Sequence, residues 1–455
     1  MAMSRTLRAV HAAAALLCTI AGATSVGAQR SADSAIARWV ATSARPVRTM
    51  EMAGALDDLQ PFAAIVGSAR VVAFGEQTHG AHEPLAFRNR LFRYLVEELG
   101  FTAIAVETGF PESRTIADLV AGDSGAPAPG EAARIVSRGF TWGFGNFAEN
   151  VELVRWMRAY NDDPRHRRKI HFYGIDLSLG GPQGSTPLPA AIDAALRYLE
   201  RVDNGAALRL RARFAPVMRH LPGDPAVAIT AAEHDTLTAA IDALVERLER
   251  GRASYVAASS ERDHDWAMRN AIVARQGDRV HRVQTPAPPG GGIAGGAWRM
   301  LSARDSAMAE NVRWALEREG PRGRVLVFAH DVHVKNAPTV GGPWRLDRPP
   351  TAMGQHLRAA LGDRLVIVGG VGGTRPPAPS GNEPSIDATL ARARLPRLVL
   401  DLRGRADPSV QAWLSSVQTL RVNGDAVISL QPSAAFDALV YVDTLTPAGK
   451  NPVNR

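Results

Sequence analysis

Short, largely apolar runs punctuate the chain at 71–74, 101–105, 170–172 and 324–328, each ending in a segment that carries glycine, acids or histidine. Runs of this length without polar alternation predict strands buried on both faces, as in a parallel sheet. Between the first two, residues 83–99 place Phe87, Leu91, Tyr94, Leu95 and Leu99 three and four apart, which predicts a helix. Gly100 is positioned as its C-cap. Strand, helix and strand in that order make a βαβ unit with parallel pairing and a right-handed crossover. Pro111 is placed to open the next helix. Residues 147–161 form another amphipathic stretch, with Val151, Val154, Trp156, Met157 and Tyr160 as its apolar positions, leading into a strand over 170–175. Upstream, 31–66 is expected to be helical.

The pattern changes after Leu177. Residues 178–187 are rich in glycine, serine and proline, and 189–276 then show helical periodicity with almost no strand signal. Leu196, Leu199, Leu208 and Leu210, and later Leu237, Ile241, Leu244 and Leu248, are expected on inner helix faces. A proline- and glycine-rich break over 284–297 has the composition of a loop or lid. Helix returns at 302–318, and further strands are expected at 364–368, 397–402 and 438–442. The expected fold class is α/β, a mainly parallel sheet flanked by helices. Its core spans 69–177 and 323–445, with a helical insertion subdomain at 189–280 inside one α/β domain over 29–455.

Hydrophobic residues make up 45% of the 455 and charged residues 22%, enough for a sizeable core. The net charge of +8 is spread among acids, and its densest cluster, Arg165 to Lys169, enters a strand without interleaved aromatics. No nucleic-acid partner is expected from that pattern. At the start, Arg5 and Arg8 precede an apolar stretch over 9–20, and Val26-Gly27-Ala28 offers a cleavage site, so 1–28 reads as a signal peptide. His11, Gly22, Thr24 and Ser25 interrupt it, which suits removal better than permanent anchoring. Leu17 before Cys18 argues against lipidation. The expected protein is exported, periplasmic or extracellular, with no membrane span after cleavage. Cys18 is the only cysteine. The mature chain would therefore have no disulfide, no thiolate zinc site and no cysteine nucleophile.

Four segments carry the candidate chemistry: Gly75-Glu76-Gln77-Thr78-His79-Gly80, Val106-Glu107-Thr108-Gly109, Tyr173-Gly174-Ile175-Asp176-Leu177 and Ala329-His330-Asp331-Val332-His333. The carboxyl ends of parallel strands line one crevice, so Glu76, His79, Glu107, Asp176, His330 and His333 are expected around a single cavity. A histidine titrates near neutrality and can take a proton from water, and a carboxylate on its second nitrogen fixes its tautomer. His330 and His333 suit a metal, a substrate carbonyl or an oxyanion. Arg88, facing the crevice, would pair with Glu76 or Glu107; facing out, it would be an ordinary solvated arginine. Each acid alone also fits a helix cap. No Gly-x-Ser-x-Gly elbow follows a strand, which disfavours a serine hydrolase.

The ordered set Gly-Glu-x-x-His-Gly at 75–80, Glu107, Phe172 to Asp176 and Ala329-His330-x-x-His333 resembles the erythromycin esterase family. Trp156 to Asn161, Arg304-Asp305-x-x-Met308-Ala309-x-Asn311, Met353-Gly354 and Phe436 to Leu439 keep the family's order. The resemblance covers roughly 69–447. It implies hydrolysis of a macrolide's lactone ester, a reaction of antibiotic resistance, by histidine-activated water without metal or cofactor. By position His79 resembles the general base. Glu76, Arg88, Glu107, His330 and His333 resemble the surrounding catalytic residues, with Asp176 and Trp142 as substrate contacts. The implied partner is a small-molecule ester. Asp331 stands where asparagine is expected, and the Pro286–Gly292 stretch and the export signal also depart from a typical resistance esterase. Two other readings stay open on the residues alone. One is a metal-dependent peptide or amide hydrolase using the same His/Glu cluster; the other is a periplasmic binding protein.

Overall fold

The computed structural model describes residues 34–122, 125, 128–177, 187–218, 230–283, 295–342, 346–373, 385–404, 407–424 and 426–454. The signal segment with Cys18, the loop at 178–186 and most of the proline- and glycine-rich break (284–294) lie outside the described residues. In chain order the strands are β1 (Arg45–Pro46), β2 (Val71–Glu76), β3 (Ala103–Gly109), β4 (His171–Asp176), β5 (Val325–His330), β6 (Val340–Gly341), β7 (Leu365–Gly372), β8 (Arg397–Asp401), β9 (Gln418–Val422), β10 (Ala426–Leu430) and β11 (Ala438–Val442).

Eight of them form one sheet in the order β1-β8-β11-β7-β2-β5-β3-β4. From β11 to β4 every neighbouring pair is parallel. β8 adds antiparallel to β11, and β1 antiparallel to β8. A separate antiparallel sheet has the order β6-β10-β9. The expected α/β class and its mainly parallel sheet are present.

Helices cover both faces, so β2, β3, β5 and β7 are buried along their whole length. Alternation sends Val72, Phe74, Ile104, Leu326 and Phe328 to one face, where they pack with the helix His82–Leu99. Phe74 sits 5.5 Å from Phe87 and 5.7 Å from Phe328, centroid to centroid. Truncating a core ring of this kind costs about 3–5 kcal/mol. That helix stops at Gly100, whose φ of 69° is the left-handed conformation glycine adopts without penalty.

Two expectations need correction. Residues 31–66 are not continuously helical: among the described residues α-helix occupies only 34–43 and Pro61–Val66, and β1 and the 3-10 turn Asp57–Leu59 intervene. Pro46 has no N–H to give, which suits an edge strand and no helix interior. Leu208 is 60% exposed instead of internal. The helix Asn204–Met218 buries Ala207, Leu210, Phe214 and Val217, and 208 falls off that stripe. Between β4 and β5 the described residues contain only helices, Pro187–Val202, Asn204–Met218, Ala231–Ala258 and Glu261–Arg282 among them. They bury Leu196, Leu199, Leu237, Ile241, Leu244 and Leu248. Among the described residues no helix is long and apolar enough to cross a membrane.

Candidate active site

β2, β5, β3 and β4 are neighbours, so their carboxyl ends bring Glu76, His330, Glu107 and Asp176 to one edge of the sheet. Glu76 and His330 are register partners across the β2–β5 ladder. The β3–β4 ladder shifts between Val106 and Gly109, an irregularity that re-aims the residues inside it. Glu107, in that interval, turns towards β5, and its Oε2 accepts the His330 backbone N–H at 2.8 Å. Gly75 has no substitute here: a Cβ would collide with the Asp331 carboxylate.

His79 lies in the turn after β2, with Nδ1 2.7 Å from Glu76 Oε1. A carboxylate accepts, so Nδ1 carries the proton and Nε2 keeps its lone pair. The His79 side chain is 35% exposed while that of Glu76 is 4% exposed, so the imidazole is reachable and its partner is not. Burial opposes the charged ring, yet the Glu76 hydrogen bond and the charges of Glu76 and Glu107 hold His79 above the ordinary histidine range. Its ring centroid is 4.7 Å from that of His330 and 5.0 Å from Phe144.

The other two histidines take opposite states. His330 caps the short helix Asp331–Val334: its Nδ1 accepts the Val332 N–H at 3.1 Å. The proton is therefore on Nε2, which donates to Asn423 Oδ1 at 3.2 Å. Burial, with the charges of His79 and His333, pushes His330 well below the usual range, so it is neutral. His333 donates from Nδ1 to Asp305 Oδ1 at 2.8 Å and faces Glu107 Oε1 with Nε2 at 3.3 Å. Burial works against its charge, but Asp305 and Glu107 prevail and raise it to about 10. His333 is an imidazolium. In return, burial notwithstanding, His333 and Arg304 hold Glu107 well below the carboxyl range.

Arg304 organises the floor. Its Nε and Nη2 grip Asp176 at 2.8 and 2.6 Å, and Nη2 also reaches Glu107 Oε1 at 3.0 Å. The Trp142 ring covers the guanidinium at 5.3 Å, and Trp142 Nε1 donates to Asp176 Oδ2 at 2.8 Å. Trp142 has φ 60°, a left-handed conformation costly for a bulky residue. Asp176, expected as a substrate contact, is fully buried with both oxygens engaged. It anchors Arg304 and Trp142 and presents no surface to a substrate.

Arg88 also differs from expectation. It is buried, but its Nε and Nη2 bond Asn89 Oδ1 at 3.0 and 2.7 Å instead of a carboxylate. Its guanidinium stacks 4.8 Å above Phe328, and burial lowers it to about 10 although Glu76, Glu149 and Glu152 oppose that shift. Arg88, Glu76, Glu107 and Asn150 line a small cavity of about 10 Å³, the size of one water. Asp331 is buried, with Oδ1 accepting the Gly370 N–H at 3.1 Å and Oδ2 unpartnered. Burial, then the nearby Glu76 charge, pushes its carboxyl well above the usual range.

A family model described as erythromycin esterase matches residues 96–445. The chain belongs to the erythromycin esterase family. It is similar to the erythromycin esterase type II of Escherichia coli, 25% identical over 350 residues that cover 73% of this chain and 75% of that protein. The type I enzyme of the same organism is 25% identical over 435 residues, 90% of this chain and 98% of the other. A Bacillus cereus protein of known crystal structure shares the fold with a TM-score of 0.73 at 23% identity, over 91% of this chain and 98% of that one. An erythromycin esterase mutant in its open conformation superposes with a TM-score of 0.65 at 19% identity, over 90% and 99%. Membership of the erythromycin esterase family makes the chain a hydrolase of the esterase type acting on a small molecule.

Of the residues expected in this erythromycin esterase family site, Glu76, His79, Glu107, His330 and His333 meet directly or through one another. Trp142 and Asp176 lie beneath them, and Arg88 lines the small cavity beside Glu76 and Glu107. Three participants were not singled out. Arg304 and Asp305 appeared only as part of a supporting motif; the readable signal is that Arg304, Met308, Asn311 and Ala315 share the buried stripe of the helix Trp298–Arg318. Asn423 lies in the β9–β10 turn, and an Asn-Gly pair between alternating runs is a hairpin signal. Among the described residues no group of three or more His, Cys, Asp or Glu is arranged to hold a metal ion. The local reason is that His330 and His333 have both ring nitrogens committed, leaving His79 Nε2 as the free lone pair of the three.

Proposed function

We propose that this chain hydrolyses a bulky carboxylic ester of the macrolide-lactone kind, with His79 as general base. The Glu76–His79 pair carries this reading: a buried carboxylate holds Nδ1–H at 2.7 Å and leaves Nε2 with its lone pair on a side chain that is partly exposed. Nε2 takes a proton from water as the water oxygen bonds the ester carbonyl carbon. The tetrahedral intermediate then collapses, the carbon–alkoxide bond breaks, and the alkoxide leaves with the proton from His79. For a lactone the product is the ring-opened hydroxy acid. His333, held cationic by Asp305 and Glu107, and Arg304, paired with Asp176 and Glu107, form the buried, charge-paired cluster beneath that base. The metallohydrolase reading would need a second free histidine lone pair, whereas His330 Nδ1 accepts the Val332 N–H and both His333 nitrogens carry protons that face carboxylates. The reading includes export, on the strength of the charged and apolar pattern over 1–28.

The test is mass spectrometry of purified protein incubated with a panel of macrolides, other lactones and simple esters, scoring the gain of one water. His79→Ala should lower turnover by about 10²–10⁴, the worth of general-base catalysis. Chelation should leave the rate unchanged. Wild-type turnover in His79→Ala, or activity lost on chelation and restored only by a divalent ion, overturns the proposal.

A further inference from the structure

We infer that the side-chain amide N–H group of Asn423 is the donor that receives the carbonyl oxygen of the ester and stabilises it as an oxyanion. The inference rests on the ester-hydrolase reading above and adds a residue to it. The Val332 N–H can only donate, so His330 Nδ1 accepts and His330 Nε2 bears the hydrogen. That hydrogen points at the Asn423 side chain 3.2 Å away, and the His79 backbone N–H approaches the same atom at 3.4 Å. Two donors converge on one position, which fixes it as Oδ1. The NH₂ group must then occupy the other position, and among the described residues no acceptor lies within hydrogen-bond distance of it.

The other donors near the site are engaged or buried. Both His333 nitrogens face carboxylates, Trp142 Nε1 is held by Asp176, and Arg304 is buried, with Nε and Nη2 forked between Asp176 and Glu107 and Nη1 turned to His333 Nε2 at 3.4 Å. Arg88 is buried behind Phe328, and the unpartnered Nε2 of Gln77 is buried too. Asn423, in contrast, is exposed. Its position is built: φ is 47° at Asn423 and 80° at Gly424, and its backbone N–H donates to the Gln77 carbonyl at 2.9 Å. Two successive left-handed residues in a two-stranded turn are what Asn-Gly supplies at least cost. The hairpin thus clamps the amide beside His79, the base that delivers the attacking water.

Two variants separate donor from scaffold. Asn423→Asp keeps the acceptor oxygen and tolerates the left-handed backbone but removes the N–H; Asn423→Gly keeps the turn and removes the side chain. With p-nitrophenyl esters, measured on the pH plateau, both should lower kcat by about 10²–10³ with little change in KM. Both should also weaken binding of an alkyl methylphosphonate anion, read by calorimetry, while melting within a few degrees of wild type. If Asn423→Asp retains kcat within threefold while Asn423→Gly loses it, the oxygen's grip on His330 is what matters and the inference falls. It falls equally if both variants stay within threefold. Should Asn423→Gly not fold, Asn423→Asp decides alone. Wild-type protein that turns over no ester refutes the hydrolase reading itself, and this inference with it.

Discussion

Removing the Arg304 guanidinium tests the electrostatic floor of the site most directly. The arginine makes three charge-assisted bonds, at 2.8 and 2.6 Å to Asp176 and 3.0 Å to Glu107. Asp176 has no exposed surface, and without Arg304 its remaining donor is Trp142 Nε1. Arg304→Met keeps most of the stem volume and strands a buried carboxylate. Breaking a buried pair from one side costs about 3–5 kcal/mol. For a large domain, at about 2 °C per kcal/mol, this is a fall of roughly 6–10 °C in Tm. Differential scanning calorimetry at pH 7.5 reads it directly. One internal control follows from the cause. The deficit should shrink in an Asp176→Asn background, where no charge is stranded, giving a non-zero coupling in the double-mutant cycle. A loss under 1 °C, or one undiminished beside Asp176→Asn, refutes the argument.

The remaining predictions concern pH. Because His79 is raised above 6.5 and acts as a free base, the acid limb of the pH–rate curve should lie above 6.5; Glu76→Gln should move that limb down and lower the plateau. A wild-type limb at or below 6.5 contradicts the Glu76 effect. Asp331 is raised in the folded protein from 3.8, so its contribution is intact below 3.8 and lost as pH climbs through the folded value, at about 1.4 kcal/mol per pH unit inside that window. Asp331→Asn should therefore raise Tm at pH 7–8 and leave it near wild type at pH 4; an equal shift at both pH values sinks the idea. His82, held by Glu149 Oε1 at 2.6 Å and Glu51 Oε1 at 2.9 Å, is raised from 6.5 to about 9 although burial opposes it. Its stabilisation is complete below 6.5 and fades through about 9, so Tm should decline across that interval in wild type and more gently in His82→Gln.

The sheet was legible because β2, β3, β5, β7 and β11 are buried on both faces and must be written as unbroken apolar runs. What escaped has physical causes too. β1 is two exposed residues with no apolar signature, so nothing in the pattern interrupts the expected helix there. β9 and β10 are only partly buried, so neither is written as an unbroken apolar run. The acids and histidines at strand ends were found by a positional rule, since parallel strands deliver their last residues to one crevice. Their partners obey no such rule. Arg304 and Asp305 come from the middle of a helix, and a charge there reads as solvated until the stripe it shares with Met308 and Asn311 is noticed. The states of the three histidines were out of reach altogether. One capping bond to Val332 and one carboxylate, Asp305, divide two residues that look alike in the sequence.

Trp142 and Asn423 share a trait with evolutionary weight. Both present their side chains from left-handed backbone, at φ 60° and 47°, on segments outside the strands of the large sheet. The strand-end groups are interlocked, and changing one breaks several buried bonds at once. Position 423 is constrained differently: its left-handed backbone favours Asn, Asp or Gly, and of these only Asn carries both the side-chain oxygen and the N–H. Adaptation of this crevice to a new ester is therefore channelled away from single substitutions at either place. It is directed towards the lengths of the two turns, which reposition a fixed side chain while the interlocked groups beneath stay as they are.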